Sequence, residues 1–280
     1  MSKQQTTHSH TVPQMYLKNF ANEKNQVWTY CLQSHECFRQ NIKNVCVKNK
    51  PYEFTKDKID NILENLLSKY ESLWAPLLYN IINGQNILLK EDIEGLLYFC
   101  IIQNLRTCQG RKKLLSALQK NNTIKIKKNS SDINIENAVF LKSIELIEKI
   151  IQNYIVTEIK IYKTYQEIYT SDTPIVMAPS LSCIYFPLTS NSYITLNLIH
   201  KTTLLQYQNS KIIQTIYFDN YNFSDFNVLN FNYLKLNEVN TNYYSIMLFI
   251  SQNCNYIIKK SEFTKEGKDF LKNLIIIPIS

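Results

Sequence analysis

Residues 55–84, TKDKIDNILENLLSKYESLWAPLLYNIING, decide how this chain is read. Apolar side chains recur at Ile59, Ile62, Leu63, Leu66, Tyr70, Leu73, Trp74, Leu77 and Ile81, the i, i+3, i+4, i+7 rhythm of an amphipathic helix. Thr55 is a suitable N-cap and Gly84 ends the rhythm, while Pro76 is expected to kink or interrupt the helix because it brings no N–H to the ladder. The same rhythm continues outward. A second helix is predicted from about Lys90 to Lys120, with Ile93, Leu97, Cys100, Asn104, Cys108, Leu115 and Leu118 on one face. A third spans about Ile135 to Val156, with Phe140, Ile144, Ile147, Ile151 and Tyr154. Asn121 to Ser131 between them is polar and basic.

After Thr157 the pattern changes to runs of Ile, Tyr and Thr separated by Asn, Ser and Asp, which predicts strands at 167–170, 183–186, 193–198 and 212–218. A helix over Leu236–Asn253, a strand at 256–258, a short helix near 265–272 and a last strand at 275–279 complete this half. Toward the N-terminus, Pro13 starts a short helix within Thr11–Ala21, followed by strands at 26–32 and 44–48. The expected class is α+β, with an N-terminal short helix and small β element, three long central helices, and a C-terminal mixed or antiparallel sheet carrying one or two further helices. The 280 residues suit a single domain, with a helical half over about 1–157 and a strand-rich half over about 158–280.

Composition narrows the function classes. At 45% hydrophobic and 12% aromatic residues the chain is not of the disordered type. Four glycines leave no room for G-x-G-x-x-G or G-x-x-x-x-G-K-[ST], so no nucleotide or organic cofactor motif is present. No apolar run reaches a membrane span, and the polar N-terminus lacks a signal peptide's core, so a cytoplasmic protein with reduced thiols and no membrane partner is expected. The seven cysteines are odd in number and scattered; only Cys31-x3-His35-x-Cys37-x8-Cys46 hints at a metal, without the tight pairs of a structural zinc site.

The net charge of +8 is localised: Gly95 to Ser131 holds no acidic residue but carries Arg106, Arg111, Lys112, Lys113, Lys120, Lys125, Lys127 and Lys128, and the remaining 23 basic residues balance the 23 acidic ones. A neutral protein with one basic segment, 106–128, suggests a localised contact with a polyanion such as nucleic acid, against the blander reading of a solvated helix end.

Four segments carry candidate site residues. His10 stands just before the Pro13 helix, where an imidazole is either hydrogen-bonded structure or an acid, base or ligand. Glu64 and Glu71 lie seven residues apart on one side of the first long helix, with Glu71 at its apolar border, where a carboxylate needs a partner. Gln103 and Arg106 are i, i+3 neighbours on the second helix, and the Arg106 fork suits either a strut to Glu71 or an anion. Asp172, in Tyr169-Thr-Ser-Asp-Thr-Pro174, sits where loop carboxylates reach a cleft, although Asp before Pro is also an ordinary turn former.

Taken in order, His10-x-x-Pro-Gln-x-Tyr-Leu-x-x-Phe20, Glu71, Gln103-x-x-Arg106-Thr107, Thr170-Ser-Asp-Thr-Pro174 and Phe186-Pro-Leu188 resemble the DUF4238 family of uncharacterised, mostly bacterial proteins. The resemblance runs from about His10 into the helix expected at Leu236–Asn253. It implies a common fold and one shared cluster of His10, Glu71, Gln103, Arg106 and Asp172, and no reaction. From these residues the expected function is phosphodiester cleavage, nuclease-like and in the setting of defence against foreign nucleic acid. Glu71 and Asp172 would hold a divalent metal (Mg or Mn), His10 would move the proton, and Arg106 would neutralise phosphate charge. Arg111, Lys112, Lys113, Lys120, Lys125, Lys127 and Lys128 would track the polyanion. The alternative is a non-catalytic protein- or ligand-binding module in which the same cluster is a buried structural network.

Overall fold

The computed structural model describes residues 8–55, 59–84, 87–121, 134–163, 167–178, 181–203, 220–222 and 254–273. The class is α+β. The chain begins with β1 (His8–His10), α1 (Gln14–Leu17) with a 3-10 turn over Lys18–Phe20, and β2 (Gln26–Cys31). Next come β3 (Cys37–Asn41), a 3-10 turn over Ile42–Asn44, β4 (Val47–Asn49), α2 (Ile62–Ile82) and β5 (Ile87–Leu89). The helical section continues with α3 (Lys90–Arg106), α4 (Cys108–Lys120) and α5 (Ile135–Ile151). The strand-rich section holds β6 (Tyr154–Lys163), β7 (Thr170–Ser171), β8 (Val176–Met177), β9 (Cys183–Thr189), β10 (Ser192–His200), β11 (Asn220–Asn222), β12 (Tyr256–Lys259) and α6 (Lys265–Asn273).

Among the described residues all strand pairs are antiparallel. One four-stranded sheet runs β6-β10-β9-β8 and a second runs β3-β2-β12-β7, so strands from both ends of the chain share a sheet. Two short pairs complete the set, β1 with β4 and β11 with β5. The main core lies between the helices and the β6-β10-β9 face, with Tyr16, Phe20, Leu63, Leu67, Phe99, Ile102, Phe140, Phe186 and Leu196 buried together. A smaller cluster around Tyr30, Ile257 and Phe263 backs the second sheet.

Several elements depart from the sequence reading for identifiable reasons. Helix α2 begins at Ile62 rather than near Thr55, because two carboxylates hold the preceding turn: Glu53 accepts from the Asp60 and Asn61 N–H groups, and Asp60 accepts from those of Phe54 and Ile62. Pro76 does not interrupt α2. Both Pro76 and Ser72 are exposed, so the Ser72 carbonyl that loses its donor can be hydrated. The helix expected over 90–120 is two helices, making four long helices among the described residues instead of three. They are divided at Thr107, which is extended (ψ 152°) and uses its hydroxyl to cap the Gly110 N–H. Residues 154–156 belong to β6, not to the end of α5, and Ile155 pairs with Ile199. The strand expected over 44–48 resolves into a 3-10 turn and β4, with Cys46 at φ 56° between them. The strand at 212–218, the helix at 236–253 and the strand at 275–279 lie outside the described residues.

Candidate functional site

The site is built where the β1–β4 pair meets α2 and the end of α3. His10 pairs with Val47 in the ladder, and Thr11 continues it by donating its N–H and its hydroxyl to the Cys46 carbonyl. Pro13 then turns the chain into α1, so the His10 ring is fixed by backbone pairing on one side and a helix start on the other. From below, α3 reaches this turn twice. Gln103 donates from Nε2 to the Thr11 carbonyl at 2.9 Å, and Arg106 donates from Nε to the His10 carbonyl at 3.0 Å.

Arg106 is the centre of the arrangement. It is 1% exposed. Its Nε also meets the Tyr52 hydroxyl at 2.9 Å, and that hydroxyl in turn donates to the His10 carbonyl at 2.9 Å. Its Nη1 donates to Glu71 Oε1 at 2.5 Å, an ion pair whose acidic side chain is 29% exposed and whose basic one is 2% exposed. Burial disfavours the charged guanidinium, but Tyr52 and Glu71 outweigh it and hold the Arg106 pKa above its ordinary value. The sequence left this arginine between a strut and an anion clamp; here it is a strut between α3, α2 and β1.

Two titratable groups border the strut on its half-exposed side. His10 has its pKa lowered, chiefly by burial and further by the Arg106 charge, against the opposing pull of the Ile42 carbonyl and Glu71. Its Nε2 lies 3.3 Å from the Ile42 carbonyl and its Nδ1 lies 3.5 Å from Gln14 Nε2, contacts that match a neutral ring protonated on Nε2. Glu64 has its pKa raised, first by burial and also by the neighbouring Glu71 and Glu53, while the Ser9 hydroxyl and Arg106 pull it down. Glu64 Oε2 is buried and has no hydrogen-bond partner among the described residues. A lowered histidine and a raised carboxyl beside one guanidinium form a pair able to hold a proton on one side and accept one on the other.

Four of the five residues expected to converge therefore do so: His10, Glu71, Gln103 and Arg106. Asp172 belongs to a different network. Its Oδ1 accepts the Asn255 and Tyr256 N–H groups at 2.8 and 3.1 Å, and its Oδ2 accepts from Asn255 Nδ2 at 2.8 Å, so it anchors the start of β12 beside β7. Burial outweighs these donors and raises its pKa. Glu71 and Asp172 do not fit a shared Mg or Mn ion, because Glu71 is committed to Arg106 and both Asp172 oxygens to Asn255 and Tyr256. Among the described residues no three His, Cys, Asp or Glu side chains are grouped as a metal site, the Cys31–Cys46 region included.

The basic segment is also divided. Arg111 is 3% exposed, donates from Nη1 to the Arg106 carbonyl and from Nη2 to the Pro51 carbonyl, and lies 5.3 Å from the centre of the Tyr52 ring. It lines the strut and offers no charge to a polyanion. Lys112, Lys113 and Lys120 are exposed on α4; burial nevertheless lowers the Lys113 pKa. Lys125, Lys127 and Lys128 lie outside the described residues.

Sequence reasoning did not place Tyr52, Glu53, Arg111 and Asn137 in the cluster, and it left Glu64 as a companion of Glu71. Tyr52 and Glu53 sit in a turn without periodicity, and nothing local marks them. Asn137 carried a signal, a polar residue on the buried side of α5; it is 0% exposed and donates to the Pro51 and Glu53 carbonyls.

Fold and site together define an α+β protein in which a buried arginine ties a long helix to an N-terminal histidine turn. The chain belongs to the DUF4238 family of proteins of unknown function, whose sequence profile matches residues 8–262. That range takes in β1 and β12, and with them every residue of both networks. No curated protein and no solved structure matches the chain. No helix among the described residues is long and apolar enough to cross a membrane.

Proposed function

We propose that the protein is a nuclease-like hydrolase of phosphate esters whose reacting groups are His10 and Glu64, with Glu71 and Arg106 as the charged support behind them. The observation that carries this reading is the opposed tuning of His10 and Glu64 around one buried guanidinium. Neutral His10 accepts the proton of an attacking water. Glu64 keeps its own proton further toward neutral pH than an ordinary carboxyl and delivers it to the leaving oxygen. Arg106 stays charged at every working pH and supplies a fixed positive field to the phosphate as negative charge develops, while Glu71 keeps it oriented. The exposed Lys112, Lys113 and Lys120 extend this field along α4 toward a polyanion.

A second reading, a binding module held by a structural network, is favoured by the near-complete burial of Gln103 and Arg106. One assay separates the two. Wild type, His10→Ala, Glu64→Gln and Arg106→Ala are incubated with single- and double-stranded DNA and RNA in Mg2+, in Mn2+ and in chelator, while melting temperatures are recorded in parallel. The hydrolase reading expects cleavage by wild type, and its loss in His10→Ala and Glu64→Gln at nearly unchanged melting temperature. Intact substrates with wild type in every condition refute it, and a large stability loss confined to Arg106→Ala then leaves the structural network. Inhibition by mononucleotides points to a small phosphorylated substrate in place of a polymer.

A further inference from the structure

An open cleft of about 230 Å3 adjoins the histidine turn. One wall is α1 and the turn after it, which contribute Gln14, Met15 and Lys18. The other is the mouth of the β2–β3 hairpin and the turn after β3, which contribute Asn25, Asn41, Ile42 and Lys43. The hairpin side is pinned in place: the Ile42 N–H donates to the Asn25 carbonyl, and the Asn41 side chain accepts the Lys43 N–H. The cleft thus has walls set by backbone bonding. Among the described residues, neither the basic segment nor the Arg106 strut contributes to it.

Its chemistry is one-sided. Two lysines and three carboxamides line it, and among the described residues no carboxylate does. Lys18 and Lys43 are exposed and have no ion-pair partner among the described residues. This contrasts with the neighbouring cluster, where Glu71 pairs with Arg106 and Glu64 lies close to both and to Glu53. Glu71 already offsets the Arg106 charge there, so the two uncompensated ammonium groups are the stronger draw and the anion is seated on the cleft side of His10, with Arg106 behind it. The His10 ring joins the two sites, because Gln14 and Ile42, which touch its two nitrogens, are themselves cleft residues.

We propose that this cleft is the phosphate-binding subsite of the protein, taking the phosphoryl group of a nucleotide or nucleotide-like chain between Lys18 and Lys43 with the Gln14, Asn25 and Asn41 amides as neutral donors. For the cleavage step after binding it rests on the hydrolase reading; as a binding site it stands apart from that reading. A cavity of this size holds a phosphate and a sugar-sized group but not a drug-sized ligand, for which pockets run to roughly 300–1,000 Å3. The subsite therefore grips one phosphate and leaves the rest of a longer ligand outside. Ammonium groups act as point charges on a phosphate, and the amides add directional bonds.

The test is titration of full-length protein with inorganic phosphate, a mononucleotide and a 5′-labelled single-stranded oligonucleotide over a salt series. Wild type is compared with Lys18→Ala/Lys43→Ala and with Lys112→Ala/Lys120→Ala, after melting curves establish that all three fold. The expected result is at least a tenfold loss of nucleotide and oligonucleotide affinity in the cleft variant, whereas the α4 variant loses affinity for the oligonucleotide alone. For the oligonucleotide, the slope of log K against log salt should also shrink by about 0.7, the value for one neutralised phosphate on a single strand. Equal affinity in wild type and cleft variant, loss confined to the α4 variant, or no binding of any phosphate-bearing probe overturns the proposal. Binding that depends on Lys18 and Lys43 without any cleavage keeps the subsite and refutes the hydrolase reading. Cleavage by wild type with an unaffected cleft variant does the reverse.

Discussion

Replacing Arg106 by alanine is the most exposing perturbation of the site. The substitution removes the Nη1 bond to Glu71, the Nε bonds to the His10 carbonyl and the Tyr52 hydroxyl, and the stack against the Tyr52 ring at 5.7 Å. At 1% exposure no water replaces these partners without opening the core. Breaking a buried pair from one side costs about 3–5 kcal/mol. Against a total stability of about 5–15 kcal/mol for a domain, that is a large share. For a chain of this length each kcal/mol moves the melting temperature by about 2 °C, the lower end of the usual range, so the variant should melt roughly 6–10 °C below wild type.

The partner residue should behave differently. The Glu71 side chain is 29% exposed, so water can take over part of its role and Glu71→Gln should cost no more than about 1–2 kcal/mol. Urea unfolding of the two single variants is compared with that of Arg106→Met/Glu71→Leu. The double variant should recover most of the Arg106 loss, because an apolar pair of similar volume avoids the buried charge. If Arg106→Ala loses less than about 1 kcal/mol, or if Glu71→Gln costs as much as Arg106→Ala, the strut as described is wrong.

Three further outcomes rest on the same geometry. A β-carbon at Gly110 would lie 1.9 Å from the Asn104 carbonyl oxygen, so Gly110→Ala must distort the α3–α4 junction and should cost about 1–3 kcal/mol by thermal unfolding. Asp172→Ala removes the acceptor for three N–H groups at the start of β12 and should destabilise by about 2–3 kcal/mol; hydrogen exchange should show the loss first at Asn255 and Tyr256. His10 has a folded-state pKa below its usual 6.5, so the unfolded chain binds this proton more tightly. Its contribution to stability is complete above pH 6.5 and falls as the pH drops through the folded value, and His10→Asn should remove that part of the pH dependence. Glu64 has the opposite sign: its raised pKa makes its contribution complete below the usual 4.5 and lost as pH rises through the folded value, which Glu64→Gln should abolish.

The elements that were legible in the sequence are those with an unbroken local pattern. Helices α2, α3 and α5, and strands β2, β9, β10 and β12, follow from period alone. Where tertiary partners set the boundary, period misleads. The start of α2 depends on Glu53, whose carboxylate accepts from Asp60 and Asn61, and no rhythm in residues 55–61 records that bond. The break at Thr107 depends on a hydroxyl cap and on a glycine three residues later, while the apolar rhythm runs straight through both. The site divides the same way. Glu71 and Arg106 were recoverable as charged residues beside apolar surface, and their grouping with His10 and Gln103 followed from the family resemblance. The destination of Asp172 was not, because its partners lie more than eighty residues away in a part of the chain whose pattern says nothing of them.

Charge shows most clearly how burial rewrites a reading made from composition. The surplus of eight positive charges falls within 95–131, which points to a single polyanion track. Two of those eight, Arg106 and Arg111, are among the most buried side chains of the protein and flank one tyrosine ring inside it. Arginine suits that position because its guanidinium is weakly hydrated and can bond carbonyls, a hydroxyl and a carboxylate from one plane, which the compact, strongly hydrated lysine ammonium cannot do. The described lysines of the segment, Lys112, Lys113 and Lys120, lack this capacity and stay exposed on α4. The two chemistries therefore separate by residue type: arginine builds the wall, and lysine is left for the surface. On that logic the cations to test first against a phosphate are not the densest ones in the sequence but those lining the cleft beside the tuned histidine, Lys18 and Lys43.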